Sequence, residues 1–353
     1  MESVAEEAHI PNLPGIIEDM MSEFQKVDFI FLSQEDVIRV GLTMREIIDA
    51  VEAVFREHGL KRVENPPKPG IHPLPSAFLH AMPAFLPELN AAGLKWVSSY
   101  PTNAQHGLPA VMGVLVLNDV ETGKPLAIMD CRWITAARTG AASAVAAKYL
   151  ASKSAQVVGI VGAGVQGRFN LLALKEVLPS IKLVKYYDIY PEALQKTVEV
   201  MQAKTLLDVQ ACASPREVIE NSDVIVTATG KLEKVIYHEA WVKPGALVLP
   251  VHHRGWENQT IHKADKFVTD DWEQLSKSAA SVGGFDGPLP APYAELGEIV
   301  LGTKPGRERE DERIIDFNYG LAMEDIVIAK EIYAKALSSG MGKTLTLMAS
   351  DFD

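Results

Sequence analysis

The sequence contains very little cysteine and no long apolar segment. Its 353 residues include two cysteines, Cys131 and Cys212, which lie far apart and form neither a CxxC motif nor a Cys/His spacing suited to a metal. This usage is typical of a reducing compartment, so we expect a cytoplasmic protein whose cysteines are small packing residues. No apolar run approaches the roughly 20 residues that cross a bilayer, and the acidic N-terminus is unlike a signal or transit peptide.

The chain also lacks an excess of positive charge. Its 34 Lys and Arg residues face 46 Asp and Glu residues, and the formal net charge of −12 argues against nucleic acid and anionic membrane as partners. Apolar residues, by contrast, are plentiful. They make up 47% of the chain, which is enough for real cores, and the length predicts two domains.

A glycine-rich turn follows a short β-branched run in the middle of the chain. The run at 157–161 is typical of a strand buried on both faces, and Gly162, Gly164 and Gly167 follow it with the G-x-G-x-x-G spacing. The first glycine permits a tight turn, the second lets the backbone approach a pyrophosphate, and the third lets helix and strand pack closely. Free N–H groups at the start of the helix, near Val165 and Gln166, would face the phosphates. We therefore predict a dinucleotide site at 162–167; the alternative is an ordinary βαβ unit with a glycine turn.

An acidic residue stands about twenty positions after this turn, at the end of a second apolar run. Asp188 is placed where an acid would bind the adenosine ribose hydroxyls. Its negative charge would repel a 2′-phosphate, and neither Ile189 nor the two residues after it offer an arginine. The sequence therefore favours NAD over NADP.

The remaining elements predict two different sheets. After Asp188, strands and helices alternate, which is typical of a doubly wound parallel sheet. Before the glycine turn, several short strands predict a separate antiparallel unit, and an alanine-rich helix at 130–150 connects the two. The proline-rich segment 65–73 predicts a loop or an edge strand. We further expect a loop at 283–290, a solvated charge run at 308–313, and a last helix at 323–337 that packs back on the first unit.

Seven short stretches together resemble the ornithine cyclodeaminase/μ-crystallin family, which also contains alanine dehydrogenases and ketimine reductases that use nicotinamide cofactors. The matching stretches are His80–Pro83, Gly93–Lys95, Leu117–Asp119 with Thr122–Gly123, Ile134–Thr139, Gly162–Gln166, Glu295–Glu298 and Gly320–Asp325. The resemblance covers nearly the whole chain. It implies a homodimer with an α+β substrate and dimerisation domain (29–132 plus 318–353) and a Rossmann NAD-binding domain (133–317), with the active site in the cleft. The acidic residues 1–28 that precede these domains predict an N-terminal arm that packs on its own subunit or on a partner, or a partly ordered tail.

The resemblance also assigns residues to that cleft. Lys95 and Arg138 stand where the family places two cations that bind the substrate carboxylate, and a lysine inside an apolar strand is costly to bury without a task or a partner. Lys68 lies roughly where many members have an arginine, but lysine cannot make a bidentate contact. His80 is similar in position to a substrate-side glutamate of cyclodeaminases; it would exchange protons or serve as a structural histidine. Along the cofactor we expect Thr139 and the segment Thr227, Ala228 and Thr229 beside the ribose and nicotinamide.

One segment departs from the cyclodeaminase pattern. Ornithine cyclodeaminases carry an aspartate after the strand at 246–251 that serves the cyclisation, whereas this chain has Arg254 near that position. Arg254 would repel the distal amine of ornithine, and it suits a second acidic group on the substrate or a substrate without a distal amine. The neighbouring His252 and His253 have no third ligand at a suitable spacing, so we expect no metal.

The motifs thus predict an NAD-dependent oxidoreductase that acts on a small amino or imino acid. Two alternatives remain open. One is an ornithine cyclodeaminase that uses and regenerates NAD within one turnover, and the other is a non-catalytic NAD(P)H-binding protein like the crystallin relatives.

Overall fold

The structure is a computed structural model that describes residues 25–230, 232–252, 254–282 and 287–349. The predicted N-terminal arm therefore lies almost wholly outside the described residues, as do His253 and half of the predicted loop at 283–290. The described chain forms two β-sheets with helices packed against them. Residues 27–130 and 343–348 supply one sheet, and residues 157–317 supply the other.

The strands and helices have the following bounds. The strands are β1 (Val27–Leu32), β2 (Gly70–Leu74), β3 (Ala77–Leu86), β4 (Ala91–Ser99), β5 (Val111–Asn118), β6 (Pro125–Asp130), β7 (Val157–Val161), β8 (Leu183–Tyr187), β9 (Asp208–Ala211), β10 (Val224–Thr227), β11 (Leu247–Pro250), β12 (Lys266–Thr269), β13 (Ala294–Glu295), β14 (Ile314–Phe317) and β15 (Lys343–Met348). The α-helices are α1 (Gln34–Arg39), α2 (Met44–Gly59), α3 (Arg132–Leu150), α4 (Val165–Val177), α5 (Pro191–Thr205), α6 (Pro215–Ile219), α7 (Asn258–His262), α8 (Trp272–Val282), α9 (Leu296–Leu301) and α10 (Ala322–Ser339).

The first sheet is mixed, with the strand order β15-β1-β6-β5-β4-β3-β2. Strands β3 to β6 pair antiparallel along the chain, as the sequence predicts, whereas β1 joins β6 in parallel. Strand β2 contains Pro73 and lies at the edge of the sheet, where a missing N–H breaks no interior ladder. Of the two predictions for the proline-rich segment 65–73, the edge strand is correct for residues 70–73 and the loop for residues 65–69.

One face of the first sheet is buried and holds a lysine among apolar residues. Cross-strand pairing aligns Met82, Lys95, Leu115 and Met129 in one row. None of the four is more than 4% exposed. Because successive residues of a strand point to opposite faces, this register directs the Lys95 side chain into the interior rather than into solvent.

The second sheet is parallel throughout its described strands, in the order β13-β12-β14-β11-β10-β7-β8-β9. Strands β10, β11, β12 and β14 are buried along their whole length, as expected for a sheet covered by helices on both faces. The chain order changes direction at β7, since β8 lies on one side of it and β10 on the other. This parallel strand order confirms the predicted doubly wound α/β fold. In such folds, ligands bind at the carboxyl ends of the strands where the chain order changes direction.

Two helices connect the sheets. Helix α3 crosses α4 so closely that a Cβ on Gly140 would lie 2.7 Å from the carbonyl oxygen of Phe169, an approach that only glycine permits. Helix α10 packs against α2 and against β3, β4 and β5, in agreement with the expected return of the last helix. Among the described residues, no helix combines the length and the apolar character that crossing a membrane requires.

Strands β13, β14 and β15 were not predicted from the sequence, and the prediction of a solvated charge run before β14 was wrong in part. Glu312 is 2% exposed rather than solvated. Its carboxylate accepts hydrogen bonds from the amides of Glu308 and Arg309 and lies 3.2 Å from the ammonium of Lys266. These partners offset the cost of burying the charge. A run of charged residues in the sequence does not show which of them will find such partners.

Candidate active site

The glycine turn after β7 opens onto a pocket of about 500 Å³, which we call the glycine-turn pocket. The turn, the end of β8 and residues 228–230 after β10 line it. A Cβ on Gly162 would lie 2.6 Å from the carbonyl oxygen of Ala228, and a Cβ on Gly167 would lie 2.0 Å from that of Gly162. A Cβ on Gly164 would meet nothing within 4 Å. Gly162 and Gly167 therefore serve the packing of the turn, and Gly164 leaves the pocket open to a ligand.

The amino end of α4 lies at the same pocket. Gly164 is the N-cap and has no side chain that could accept a hydrogen bond from the first amides of the helix. The amide of Arg168 donates the first hydrogen bond within the helix, to the Gly164 carbonyl at 3.2 Å. The amides of Val165 and Gln166 precede it in the first turn, where a helix offers no internal acceptor. Free amides, the helix dipole and the Arg168 side chain on the pocket wall all favour an anion. These residues fit the phosphates of a dinucleotide.

Asp188 lies at the end of β8 and holds the turn in place. Its Oδ2 accepts a hydrogen bond from the Ala163 amide at 2.8 Å, and its Oδ1 accepts one from the Tyr190 amide at 3.0 Å. Asp188 and the largely exposed Ile189 both line the glycine-turn pocket. A carboxylate has about four acceptor positions, so Asp188 can also accept hydrogen bonds from ribose hydroxyls.

The segment after β10 divides between the pocket and the core. Ala228 and Thr229 line the glycine-turn pocket, and the Thr229 hydroxyl lies 3.2 Å from the hydroxyl of Tyr237. Thr227 is fully buried, and its hydroxyl accepts a hydrogen bond from the Trp256 indole at 3.1 Å. The Thr227 side chain therefore contributes to packing, whereas Ala228 and Thr229 face the pocket.

The two cations that the family resemblance assigns to the substrate are buried together beside the first turn of α10. The ammonium of Lys95 donates a hydrogen bond to Oδ2 of Asp325. The guanidinium of Arg138 donates from Nη1 to Glu324 at 3.1 Å, and its Nε lies 3.4 Å from Oδ1 of Asp325. Lys95 is 1% exposed and Arg138 is 9% exposed. Asp325 thus connects Lys95 of the first sheet with Arg138 of α3.

Burial and neighbouring charge act on these groups in opposite directions. Burial lowers the pKa of Lys95 despite its contact with Asp325. Burial also disfavours the charged form of Arg138, but the Asp325 and Glu324 carboxylates outweigh it and raise the pKa of the guanidinium. Burial raises the pKa of Glu324, and Arg138 opposes the shift. Arg138 therefore stays charged and is the fixed cation of the group.

A turn after β14 brings further charged groups to Arg138. The ammonium of Lys68 donates to the carbonyls of Tyr319 and Gly320 at 3.1 and 3.0 Å and lies 3.4 Å from the centre of the Tyr319 ring. Asp270 accepts from the amides of the same two residues at 2.9 and 2.6 Å. Gly320 has φ 85°, and a Cβ there would lie 2.7 Å from Nη1 of Arg138. The turn therefore places Lys68, Asp270 and Arg138 around one glycine.

Lys68 and His80 have strongly altered proton affinities. Burial lowers the pKa of Lys68 to about 7, with Asp270 opposing the shift. Burial, followed by the charge of Lys68, lowers the pKa of His80 to about 4. The His80 ring stacks on Phe78 with a centroid distance of 4.1 Å. His80 is therefore neutral at neutral pH, whereas Lys68 can gain or lose a proton there.

Arg138 also lines a small cavity, which we call the Arg138 cavity, at the carboxyl ends of β11 and β14. Its volume is about 30 Å³. The lining residues are Arg138, Thr139, Ala142 and Ser143 of α3, Leu249, Pro250 and Val251, and Asp316 with Asn318. Arg138 and the predicted cofactor residue Thr139 thus meet the ligand-binding edge of the second sheet.

The segment after β11 contains the remaining predicted site residue. Arg254 is partly buried, and its amide donates to Nδ1 of His252 at 3.3 Å. Within the ranges that the structure describes, which exclude His253, no three or more His, Cys, Asp or Glu side chains are grouped so that they could hold a metal ion.

The acidic half of this site was not predicted from the sequence. Asp270, Asp316, Glu324 and Asp325 are at most 2% exposed and lie around the predicted cations. Glu324 and Asp325 belong to a stretch that carried the family resemblance, but they received no role. The available signal was their position in the first turn of a helix whose following residues, 326–329, are all apolar.

Comparisons with known proteins agree with this geometry. The model of the ornithine cyclodeaminase/mu-crystallin family matches residues 28–340. The nodulation efficiency protein NfeD of Rhizobium meliloti is 36% identical over 312 residues, 88% of this chain and 97% of NfeD.

Two solved structures are also similar. Thermococcus litoralis Δ1-pyrroline-2-carboxylate reductase, in complex with NADH and L-proline, is 36% identical with a TM-score of 0.81, over 89% of this chain and 99% of that one. An archaeal alanine dehydrogenase dimer with bound NAD is 36% identical with a TM-score of 0.80, over 91% and 100%. The chain belongs to the ornithine cyclodeaminase/mu-crystallin family, as its motifs predict.

Proposed function

We propose that this protein is an NAD-dependent oxidoreductase that acts on a small amino or imino acid. The observation that carries the proposal is the position of Arg138, a buried cation on a cavity formed by the carboxyl ends of β11 and β14. Cofactors of doubly wound sheets bind at this edge, and a buried guanidinium suits a carboxylate. This class of reaction is the one expected from the sequence, and the activities named for the relatives agree with it.

The cofactor would bind in the glycine-turn pocket. Its pyrophosphate would approach Gly164 and the amides of Val165 and Gln166, while Asp188 would accept hydrogen bonds from the adenosine ribose. The same carboxylate disfavours a 2′-phosphate, so the proposal specifies NAD rather than NADP. When bound, the nicotinamide supplies hydride transfer, with Thr139, Ala228 and Thr229 as its expected neighbours.

The substrate carboxylate would bind at Arg138. Lys95 is paired with Asp325 and almost wholly buried, so it contributes positive charge behind the binding site rather than an open contact. Lys68 adds a third positive charge below about pH 7 and loses it above that pH. His80 is available only as a neutral hydrogen-bonding group near neutral pH. The role of Arg254 in binding a second acidic group of the substrate stays a prediction.

A homodimer is part of the proposal, and it rests on the outer face of the first sheet. Trp96 and Val114 are cross-strand neighbours there and are 38% and 40% exposed, and Ile71 on the edge strand is 57% exposed. Exposed apolar residues on one continuous sheet face favour a protein partner, and a second copy can cover the same face symmetrically.

We also propose a cytoplasmic location, because Cys131 and Cys212 are both unpaired thiols.

The experiment follows NADH absorbance with the purified protein. The panel contains amino acids with NAD, and 2-oxo acids with amines or cyclic imines with NADH. We expect turnover with at least one small amino or imino acid. Flat traces with every compound, despite tight NADH binding, would support a non-catalytic binding protein. Ammonia release from ornithine without net change in NADH would support the cyclodeaminase alternative.

A variant pair then tests the carboxylate site. Arg138→Met should raise KM for the carboxylate substrate about 100-fold, because a charge-assisted hydrogen bond contributes about 1.5–3 kcal/mol. Arg307→Met is the control. The partly buried Arg307 guanidinium donates hydrogen bonds to the Leu150 and Glu312 carbonyls and does not line the Arg138 cavity. An equal change in KM for both variants would contradict the assignment.

A further inference from the structure

A buried carboxyl group on the Arg138 cavity lacks a hydrogen-bond partner on one oxygen. Asp316 lies in β14 and is 2% exposed. Its Oδ2 accepts a hydrogen bond from the Asn318 side-chain amide at 2.7 Å. Its Oδ1 is buried and has no partner in the part of the chain that the structure describes. Buried polar atoms nearly always have partners, so an unpartnered one in a residue that lines a cavity points to a water molecule or a ligand group there.

The cavity beside Asp316 has the right size for one small polar group. Its volume of about 30 Å³ is close to the share of a single water molecule in the liquid. Arg138 and Ser143 line the cavity from α3, and Val251 lines it from the end of β11. A group that enters this space can therefore meet Asp316 and Arg138 together.

The charges around Asp316 favour its protonated form in the free protein. Burial raises its pKa well above the ordinary value, and the neighbouring Asp270 and Glu324 carboxyls raise it further. Asn318 acts in the opposite direction through its hydrogen bond. Arg138, which lines the same cavity, pairs with Glu324 and Asp325. Its positive charge is therefore divided among several carboxyl groups and does not stabilise the charged form of Asp316 alone.

We propose that Asp316 binds the nitrogen of the substrate through Oδ1. This inference rests on the proposed function. A substrate whose carboxylate contacts Arg138 carries its nitrogen on the adjacent carbon, and Asp316, whose Oδ1 is unpartnered among the described residues, lines the same cavity. As a carboxylic acid it donates to an imine nitrogen, and as a carboxylate it accepts from an amine.

Asp316 also supplies the proton that the reduction of an imine requires. Its O–H bond breaks, an N–H bond forms on the nitrogen, and the carboxylate remains beside Arg138. The hydride for the adjacent carbon would come from the reduced nicotinamide that the proposed function requires. Oxidation of an amine returns the proton to Asp316.

The test measures binding of two unreactive ligands to the protein saturated with NADH. L-alanine carries the nitrogen and propionate lacks it, and neither accepts hydride. We expect L-alanine to bind at least about tenfold more tightly than propionate, because a hydrogen bond to a charged group contributes about 1.5–3 kcal/mol. Asp316→Asn should reduce this ratio to about threefold or less and leave NADH affinity unchanged. It should also lower kcat for imine reduction by about 100-fold or more, the usual share of general acid catalysis.

Asp223→Asn is the matched control. Asp223 belongs to the same parallel sheet but lies at its amino edge, where it accepts from the Gln156 and Val157 amides and pairs with Lys243. This variant should keep the ligand ratio and kcat. If Asp316→Asn does not fold, Asp316→Ser leaves room for water and serves as the second variant.

Three results would overturn the assignment. The first is an unsubstituted protein that binds NADH but does not prefer L-alanine to propionate. The second is an unchanged ligand ratio in the folded Asp316 variant. The third is a tenfold loss of NADH affinity with the ratio retained, which would assign Asp316 to the cofactor. Failure of the proposed function has a different signature, because the unsubstituted protein would then fail to bind NADH or to turn over any compound of the panel.

Discussion

Substitution of the three motif glycines by alanine should separate cofactor binding from folding. Gly164 has φ −74° and open space where a Cβ would stand. Gly164→Ala should therefore change the free energy of unfolding by less than about 1 kcal/mol, because alanine restricts the unfolded chain but is a poorer N-cap than glycine. The new methyl group points into the glycine-turn pocket, where the pyrophosphate must approach the backbone. We expect NADH affinity to fall at least about tenfold, which corresponds to about 1.4 kcal/mol.

The other two glycines should respond in the opposite way. Gly167→Ala would place a Cβ 2.0 Å from the Gly162 carbonyl oxygen, and backbone cannot rotate away as a side chain can. Gly162 has φ 112°, so alanine is strained there as well. Both variants should lose at least about 1–3 kcal/mol of stability.

Urea unfolding and NADH fluorescence, measured on the same preparations, give the two readouts. A Gly164→Ala protein that is as stable as the unsubstituted chain and binds NADH equally well would refute the assignment of this pocket to the pyrophosphate. The Gly167→Ala variant serves as the control for a loss of binding that follows from unfolding alone.

Three further predictions concern charged residues. Asp188→Ala should weaken NADH binding about tenfold or more by loss of a charged acceptor and raise the ratio of NADPH to NADH affinity; an unchanged ratio in fluorescence titrations would contradict the NAD preference. Lys95→Met leaves Asp325 buried without its ammonium and should cost about 3–5 kcal/mol in urea unfolding. Lys266→Met, which breaks another buried ion pair, should cost a similar amount, but only Lys95→Met should raise KM for the carboxylate substrate. Between about pH 7 and pH 10.5 the unfolded chain keeps a proton on Lys68 that the folded chain releases, so this residue adds stability as pH rises. The free energy of unfolding of the unsubstituted protein minus that of Lys68→Met should therefore increase over this window, and a constant difference would show that the pKa of Lys68 is not lowered.

The sequence was informative where structure is decided locally. The β-branched run at 157–161, the glycine spacing and Asp188 lie within about thirty residues, and each has a distinct physical reason for its position. The alternation of strands and helices after Asp188 also follows from local patterns. For the same reason, the predicted strands at 157–161 and 246–251 are close to Val157–Val161 and Leu247–Pro250 in the structure.

The sequence was least informative where burial depends on distant partners. Strand β14 has four residues and follows a charged segment, so no local pattern distinguishes it from a loop. It lies between β11 and β12, and only this sheet order brings Asp316 to the Arg138 cavity. Lys95 and Asp325 are separated by 230 positions. Their contact requires both the register of β4 and the return of α10, neither of which the sequence states directly.

A crystal structure of the protein with NADH and a small carboxylate inhibitor would test the central claim most directly. We expect the pyrophosphate to lie against Gly164 and the amino end of α4, and the inhibitor carboxylate to lie within hydrogen-bonding distance of Arg138. A cofactor bound away from the glycine turn, or a carboxylate held by residues other than Arg138, would contradict it.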